Sequence, residues 1–175
     1  SGIKELGFTG VIEAALGADL VAYYEAIELV EKGFLTTSCC PAFVNFIKNN
    51  FPDLEKHISH NLSPMAMIAK VIKEAHPNAK TVFIGPCTAK KAEAQKEEVK
   101  KYVDCVLTFE ELIALFGAEN LDIKTLEESP LEDATLFGRS FARSGGVTEA
   151  IIQSIKEQNL DLEFNPLVCD GIENI

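Results

Sequence analysis

The chain has 175 residues, 47% of them hydrophobic, which suffices for one domain with a core or for one lobe and part of a second. Its formal net charge of −11 argues against nucleic acid and membranes as partners, and no apolar run approaches the roughly 18 residues that span a bilayer. Because no signal peptide is recognisable, we expect a cytoplasmic location and reduced thiols.

The first half of the chain predicts three helices and one short extended run. Apolar residues at helical intervals cover residues 19–32, and Gly33 follows as a C-terminal stop. Residues 34–37 are predicted to be extended, and Pro41 suits the first turn of a helix to about residue 50. Ser63-Pro64 has the residue types of a helix cap and a first helical position.

The second half predicts strands that alternate with helices. Thr108 and Glu111 fit a capping box, and Gly145-Gly146 precedes another helical stretch. The predicted strands cover residues 81–84, 103–107 and 162–168. One predicted helix follows Cys87, and two others cover residues 109–117 and 146–158. This order predicts an α/β fold in which helices flank a parallel sheet. Chemistry in such folds lies on loops beyond the carboxyl ends of strands, which is where we find Cys39, Cys40, Cys87 and Cys169.

Two adjacent cysteines make Thr37-Ser38-Cys39-Cys40-Pro41 the most informative segment. Backbone N–H groups and the dipole of the predicted helix favour thiolate here, the form that binds iron. Adjacent side chains diverge, so one thiol can bind a metal while the other faces a cavity. The alternative is a pair of small buried hydrophobic residues. Since the chain has five cysteines and no Cys-x-x-C, a disulfide framework or zinc ribbon is disfavoured.

A second segment, Gly85-Pro86-Cys87-Thr88-Ala89-Lys90, repeats this design after another predicted strand. The lysine projects from the same helical turn as the thiol, where it can donate to an anionic ligand. The alternative is a core cysteine beside a surface lysine. Together the two segments resemble the first two signature motifs of the [FeFe]-hydrogenase catalytic domain. The resemblance covers essentially the whole chain and includes Gly17-Ala18-Asp19, the 24–31 helix, Ser63-Pro64, residues 103–108 and Ser144-Gly145-Gly146.

The resemblance implies a role for each matched residue. Cys40 and Cys87 are two of four ligands to the [4Fe-4S] half of the H-cluster. Cys39 passes protons to the diiron subsite, and Lys90 holds one of its cyanide ligands. The family's proton path from that thiol to solvent corresponds to Glu25, Ser59 and Glu28. Gly145 and Gly146 form a turn that lets backbone approach a bulky cofactor.

Ordinary structural roles compete with several of these assignments. The alternative to the proton path is that Glu25 and Glu28 are solvated helix residues and that Ser59 is an ordinary loop serine. We expect Cys105 to be a core residue and leave Cys169 without a role. The family assigns no role to the histidines, which we expect at the surface or in loops: His57, His60 and His76. A solvated helix face is expected for the mixed charges Lys90, Lys91, Glu93, Lys96, Glu97, Glu98, Lys100 and Lys101.

The chain also departs from the family pattern. A third motif, Cys-x-x-x-Cys, should supply the remaining two cluster ligands and is not in this sequence. We therefore expect a fragment, with residues 1–117 in a first lobe and 118–175 in a connection and part of a second lobe. We expect no assembled cluster and no activity from the fragment itself. Gly85 also stands where catalytic members usually carry a methionine.

The leading hypothesis is a fragment of an oxidoreductase that interconverts protons and H2 with a ferredoxin-like electron carrier. Its other expected partner is the remainder of the catalytic domain, and exposure of the face that this remainder covers is expected to promote self-association. The alternative is a non-catalytic hydrogenase-like iron-sulfur protein, either a sensor or an iron-sulfur assembly factor. A zinc-binding or purely structural module is disfavoured because the required ligand spacings are missing.

Overall fold

The computed structural model describes residues 1–130, 132–162 and 166, and within them the chain forms an α/β domain. The α-helices are α1 (Gly2–Glu5), α2 (Ala14–Lys32), α3 (Pro41–Asn50), α4 (Pro64–Ala75), α5 (Ala89–Ala94), α6 (Phe109–Ala118), α7 (Leu136–Ser140) and α8 (Gly146–Glu157). The strands are β1 (Val82–Ile84) and β2 (Cys105–Leu107), and short 3-10 helices cover Pro52–His57 and Ile123–Thr125.

The two strands pair in parallel, with Phe83 opposite Val106, and α5 lies in the crossover between them. A further parallel bridge joins Thr36, in the extended segment before Cys39 and Cys40, to Ile58. The predicted α/β fold with a parallel sheet flanked by helices is therefore confirmed. The strand predicted over 162–168 lies almost wholly outside the described residues, as does Cys169.

Local chemistry sets three of the predicted helix boundaries, although α2 begins at Ala14 and not at the predicted residue 19. Gly33 ends α2 in the left-handed conformation, with φ of 73°. The Ser63 hydroxyl accepts from the amide of Ala66 at the start of α4. Thr108 and Glu111 form both hydrogen bonds of a capping box at the start of α6. No described helix is long and apolar enough to cross a membrane.

Three hydrophobic clusters hold these elements together. The first joins α2 to α7 and α8 and includes Val21, Ala26, Phe141 and Ile151. The second packs α4 against the region around the strands, and the third joins α3 to Ile58. Cys105 belongs to none of these clusters. Our expectation that Cys105 is a core residue is wrong, because the short edge strand leaves its side chain exposed.

The helices approach one another closely where glycines face a neighbouring backbone. A Cβ added to Gly17 would lie 2.2 Å from the carbonyl oxygen of Pro64, and one added to Gly138 would lie 2.5 Å from that of Ala15. These glycines let α4 and α7 pack directly on α2, which carries the two glutamates of the predicted proton path.

Gly17→Ala should therefore lower the free energy of unfolding by about 1–3 kcal/mol, because the backbone of α4 must move to admit a methyl group. Gly117→Ala is the matched control, since no atom lies within 4 Å of the position of its added Cβ. That control should gain about 0.5 kcal/mol, because alanine restricts the unfolded chain more than glycine does. Urea unfolding measures both values. Equal stabilisation of both variants would contradict the close packing.

Asp104 joins α4 to the strands through several donors. Its carboxylate pairs with Lys73 at 2.7 Å and Lys80 at 3.0 Å, and it accepts from the amide of Thr81 at 2.9 Å. Burial alone would raise the pKa of Asp104, but the hydrogen bonds from these three donors hold it well below its usual range.

Because its folded-state pKa is lowered, Asp104 contributes stability above its ordinary pKa of 3.8 and loses this contribution as the pH falls further. We expect Asp104→Asn to cost about 1–2 kcal/mol at pH 7. The difference between wild type and variant should shrink between pH 4 and the most acid pH at which the fold survives. Urea unfolding across this range measures it, and a difference independent of pH would show that the charge of Asp104 is not responsible.

Candidate active site

The two cysteines of the first segment face different surroundings. Cys40 is the residue before α3 and its side chain is exposed. The side chain of Cys39 is partly buried and packs against the first hydrophobic cluster. Burial raises the pKa of the Cys39 thiol, hydrogen bonding with Thr37 partly offsets this, and the nearby charge of Glu25 raises it further. The divergence predicted for adjacent side chains is confirmed, and a pair of buried hydrophobic residues is excluded.

Lys90 connects the second segment to the first. Cys87 is exposed in the loop after β1, and the amide of Lys90 donates to its carbonyl. The Nζ atom of Lys90 lies 3.0 Å from the carbonyl oxygen of Cys39, to which it donates, and 2.7 Å from Oε2 of Glu93. These contacts, with the packing of α3 on α5, hold both cysteine segments on one side of the domain.

The predicted solvated helix face around Lys90 is wrong in part. The side chains of Lys90 and Glu93 are only 12% and 7% exposed, because α5 packs this pair against the first cysteine segment. Helix α5 ends at Ala94, so the more distal lysines of the group do not share its surface.

Glu25 is completely buried in α2 and reaches the first cysteine segment. Its Oε1 accepts from the Thr37 hydroxyl at 3.0 Å and from the Ser38 amide at 3.3 Å. The same Thr37 hydroxyl oxygen accepts from the amide of Cys39 at 3.3 Å. Oε2 of Glu25 has no hydrogen-bond partner among the described residues. Burial raises the pKa of Glu25, although the hydrogen bonds from Thr37 and Ser38 oppose the rise.

Glu28 lies one turn further along α2, where its carboxylate accepts several hydrogen bonds. Ser59 Oγ and Asn61 Nδ2 each donate to Oε2 at 2.8 Å, and Lys32 Nζ donates to Oε1 at 2.5 Å. Burial would raise the pKa of Glu28, but these donors and the backbone amide of His60 lower it overall. Burial ordinarily raises the pKa of a carboxyl group, and Glu28 departs from this rule because Lys32 and the loop supply stabilising donors.

The structure thus brings the predicted path residues into one connected group, in which Ser59 donates to Glu28, Thr37 donates to Glu25, and the two glutamates are neighbours on α2. Glu25 and Glu28 are both buried on one face of α2, and Ser59 is buried beside them. Thr37 connects this group to Cys39, and Lys32 lies at its opposite end. The alternative of solvated helix glutamates and an ordinary loop serine is wrong, since solvated side chains would not be buried and hydrogen-bonded to one another.

The predicted cofactor contact at Gly145 and Gly146 lies at the start of α8. Gly145 has a positive φ of 76°, and a Cβ on Gly146 would lie 2.0 Å from the carbonyl oxygen of Ser140. Backbone conformation and helix packing therefore require glycine at both positions. Approach to a cofactor stays a prediction.

The residues present fit only part of a [4Fe-4S] cluster. Such a cluster takes four thiolates, and Cys40 and Cys87 are the two exposed cysteines on the linked loops. Within residues 1–130, 132–162 and 166, no group of three or more histidine, cysteine or acidic side chains could hold a metal ion. The described residues therefore offer two ligands, and a complete cluster needs two more from elsewhere.

The parallel α/β domain thus carries two exposed cysteine loops and a pair of buried glutamates. The family described as the iron only hydrogenase large subunit, C-terminal domain, matches residues 1–175. The chain belongs to this family, as the sequence motifs predicted.

Known relatives have more than one function. Iron hydrogenase 1 of Clostridium pasteurianum is 31% identical over 185 residues, covering 92% of this chain and 32% of that protein. The cytosolic Fe-S cluster assembly factor NAR1 of Kluyveromyces lactis is 37% identical over 94 residues, covering 54% of this chain and 20% of that protein. A variant of [FeFe]-hydrogenase HydA1 from Chlamydomonas reinhardtii has a TM-score of 0.74 and 26% identity, over 89% of this chain and 45% of that one. The chain thus spans less than half of each.

Sequence reasoning missed several residues of the connected group. Thr37 and Asn61 were not singled out, although each lies within two residues of a predicted site residue. Lys32 was also missed, although it follows Glu28 at i+4, a spacing that favours ion pairing on a helix. Glu93 follows Lys90 at i+3 and was interpreted only as a surface charge.

Proposed function

We propose that this chain is part of an oxidoreductase that interconverts protons and H2 with a ferredoxin-like electron carrier. The observation that carries the proposal is a buried group on one face of α2, in which Ser59 donates to Glu28 and Thr37 links Glu25 to the backbone of Cys39. A structural scaffold has no need to bury two carboxylates within such a group, since each costs free energy to desolvate.

Each member of the group suits one step of proton movement. The Cys39 thiol exchanges a proton with the reacting centre, and Glu25 receives or returns it. The raised pKa of Glu25 brings its protonated form nearer to neutral pH, and its Oε2 is free of hydrogen bonds among the described residues. The Ser59 hydroxyl can pass the proton on to Glu28, to which it already donates.

The implied cluster sets the role of the remaining residues. When bound, it supplies the redox chemistry of H2 and its protons. In this proposal Cys40 and Cys87 hold the [4Fe-4S] half, with two further cysteines from outside the described residues. Lys90 offers a charged donor beside the carbonyl of Cys39 and suits an anionic ligand of the diiron subsite.

A specific observation favours a second candidate, a non-catalytic iron-sulfur protein. A Cβ added to Gly85 would lie 2.8 Å from the ring of Phe83. A methionine, which the resemblance leads us to expect here in catalytic members, would therefore require that ring to move. The similarity to an iron-sulfur assembly factor points the same way.

H2 turnover by the intact protein decides between the two candidates. The protein is prepared with its iron-sulfur centres assembled anaerobically, and H2 evolution is measured with a reduced ferredoxin. The first candidate predicts sustained turnover that Cys39→Ser lowers by at least about 100-fold. Full iron content without turnover supports the iron-sulfur protein and contradicts the oxidoreductase.

A further inference from the structure

His60 lies at the solvent end of the connected group, although the resemblance assigns it no role. Its backbone amide donates to both carboxylate oxygens of Glu28, at 3.1 and 3.3 Å. Its Nδ1 lies 3.3 Å from Oε1 of Glu28 and 3.1 Å from Nζ of Lys32. The side chain is nevertheless 81% exposed, so a single imidazole contacts both the buried carboxylate and water.

The position of Nδ1 suits both protonation states of the ring. When the imidazole is neutral, its Nδ1 lone pair can accept a hydrogen bond from the ammonium of Lys32. When it is protonated, Nδ1–H can donate to Oε1 of Glu28. A nitrogen between a fixed donor and a fixed acceptor can gain or lose a proton with little rearrangement.

Glu28 alone is poorly suited to collecting protons from water. Hydrogen bonds from Lys32, Ser59 and the loop stabilise its anionic form and lower its pKa. Such a carboxylate is rarely protonated near neutrality. Imidazole is the side chain that ordinarily changes charge between pH 5 and 8, and proton exchange is most efficient when donor and operating pH match.

We propose that His60 is the group through which protons pass between solvent and the Glu28 end of the path. A solvent acid gives a proton to the neutral imidazole, which becomes imidazolium. Nδ1–H then passes a proton to Oε1 of Glu28, so the carboxylate becomes a neutral acid and the ring returns to its neutral form. The reverse sequence releases protons when H2 is oxidised. This inference rests on the proposed function and deepens it.

Other charges near His60 are more distant members of the same surface. Glu28 and Lys32 of α2 contact the ring directly. Two surface cavities, of about 380 and 420 Å³, adjoin His60 and contain charged side chains of α3, the 3-10 helix, α4 and the segment from α5 onward: Lys48, Glu55, Lys56, Lys70, Glu74, Glu93, Lys96 and Glu98. These groups have mixed sign, so their electrostatic effects on the ring oppose one another. The charges of Glu28 and Lys32, which contact the ring directly, therefore have the largest effect on it.

Turnover of the intact protein in dilute buffer tests the proposal. We expect His60→Asn to lower H2 turnover by about tenfold, since proton entry becomes limiting, and added imidazole should restore most of the rate. His76→Asn is the matched control, because His76 is an exposed histidine at the C-terminal end of α4, whereas His60 contacts Glu28 and Lys32 of α2. The His76→Asn control should keep the H2 turnover rate of wild type. Equal rates for His60→Asn and His76→Asn, or a loss that imidazole does not restore, would overturn the proposal.

NMR spectra of the 175-residue chain give a readout that does not depend on activity. Glu28→Gln should change the chemical shifts of the His60 ring, because Nδ1 loses the carboxylate that lies 3.3 Å from it. The ring signals of His76 should stay as they are in wild type. Unchanged ring signals of His60 would overturn the inference. Absence of turnover in the unsubstituted intact protein would instead overturn the proposed function, and the role of His60 with it.

Discussion

Cys40→Ala should abolish retention of the [4Fe-4S] cluster in the intact protein. Cys40 is the exposed residue before α3, and the loop of Cys87 leads into α5, which packs on α3. Removing one of four thiolates leaves the cluster incomplete, and alanine offers no replacement donor. Iron and sulfide analysis with electron paramagnetic resonance should show loss of nearly all four-iron cluster.

Two other cysteines provide controls for this prediction. Cys105→Ala removes an equally exposed thiol on β2, away from the predicted site, and should keep full iron content. Cys39→Ser should also keep the metal, because the Cys39 side chain packs into the first hydrophobic cluster, and should instead slow proton delivery. Equal metal loss in Cys39→Ser and Cys40→Ala would show that the two adjacent thiols do not divide these roles.

Helix boundaries could be predicted from the sequence because their causes are local. The left-handed glycine after α2, the serine cap of α4 and the capping box of α6 each involve residues a few positions apart. Helix α7 was missed because its stabilising contacts are distant in sequence. Its cap Thr135 bonds to Asp19, and Gly138 packs on the carbonyl of Ala15. No local pattern reports such contacts.

The site residues could also be found from local motifs, whereas their contacts depend on segments that are distant in sequence. Motif resemblance selected Glu25, Glu28 and Ser59, and the structure places them together. The lowered pKa of Glu28 could not be predicted, because two of its hydrogen-bond donors are distant in sequence. They are the amide of His60 and the side chain of Asn61, in the loop after the 3-10 helix Pro52–His57. Distances between loops distant in the chain decide whether a buried carboxylate is neutral or anionic.

Glu25→Gln should lower H2 turnover of the intact protein by at least about 100-fold while the spectra of the cluster stay unchanged. The amide oxygen of glutamine can still accept from Thr37 and Ser38, so the local hydrogen bonds that hold the first cysteine segment survive. The amide group cannot take up and release a proton near neutral pH, so the connection between Cys39 and Ser59 is interrupted.

A second measurement distinguishes a loss of proton transfer in Glu25→Gln from a loss of folding stability. Because burial raises the folded-state pKa of Glu25 above its ordinary value of 4.5, the native state binds its proton more tightly than the unfolded chain does. Wild type should therefore lose stability as the pH rises from about 4.5 through the raised pKa, and Glu25→Gln should lack this loss. At pH 7 the variant should be at least as stable as wild type in urea. If the variant unfolds more easily or loses its cluster, Glu25 holds the structure together, and the fall in turnover says nothing about proton transfer. A stable, cluster-loaded variant with wild-type turnover would show that protons reach Cys39 by another route.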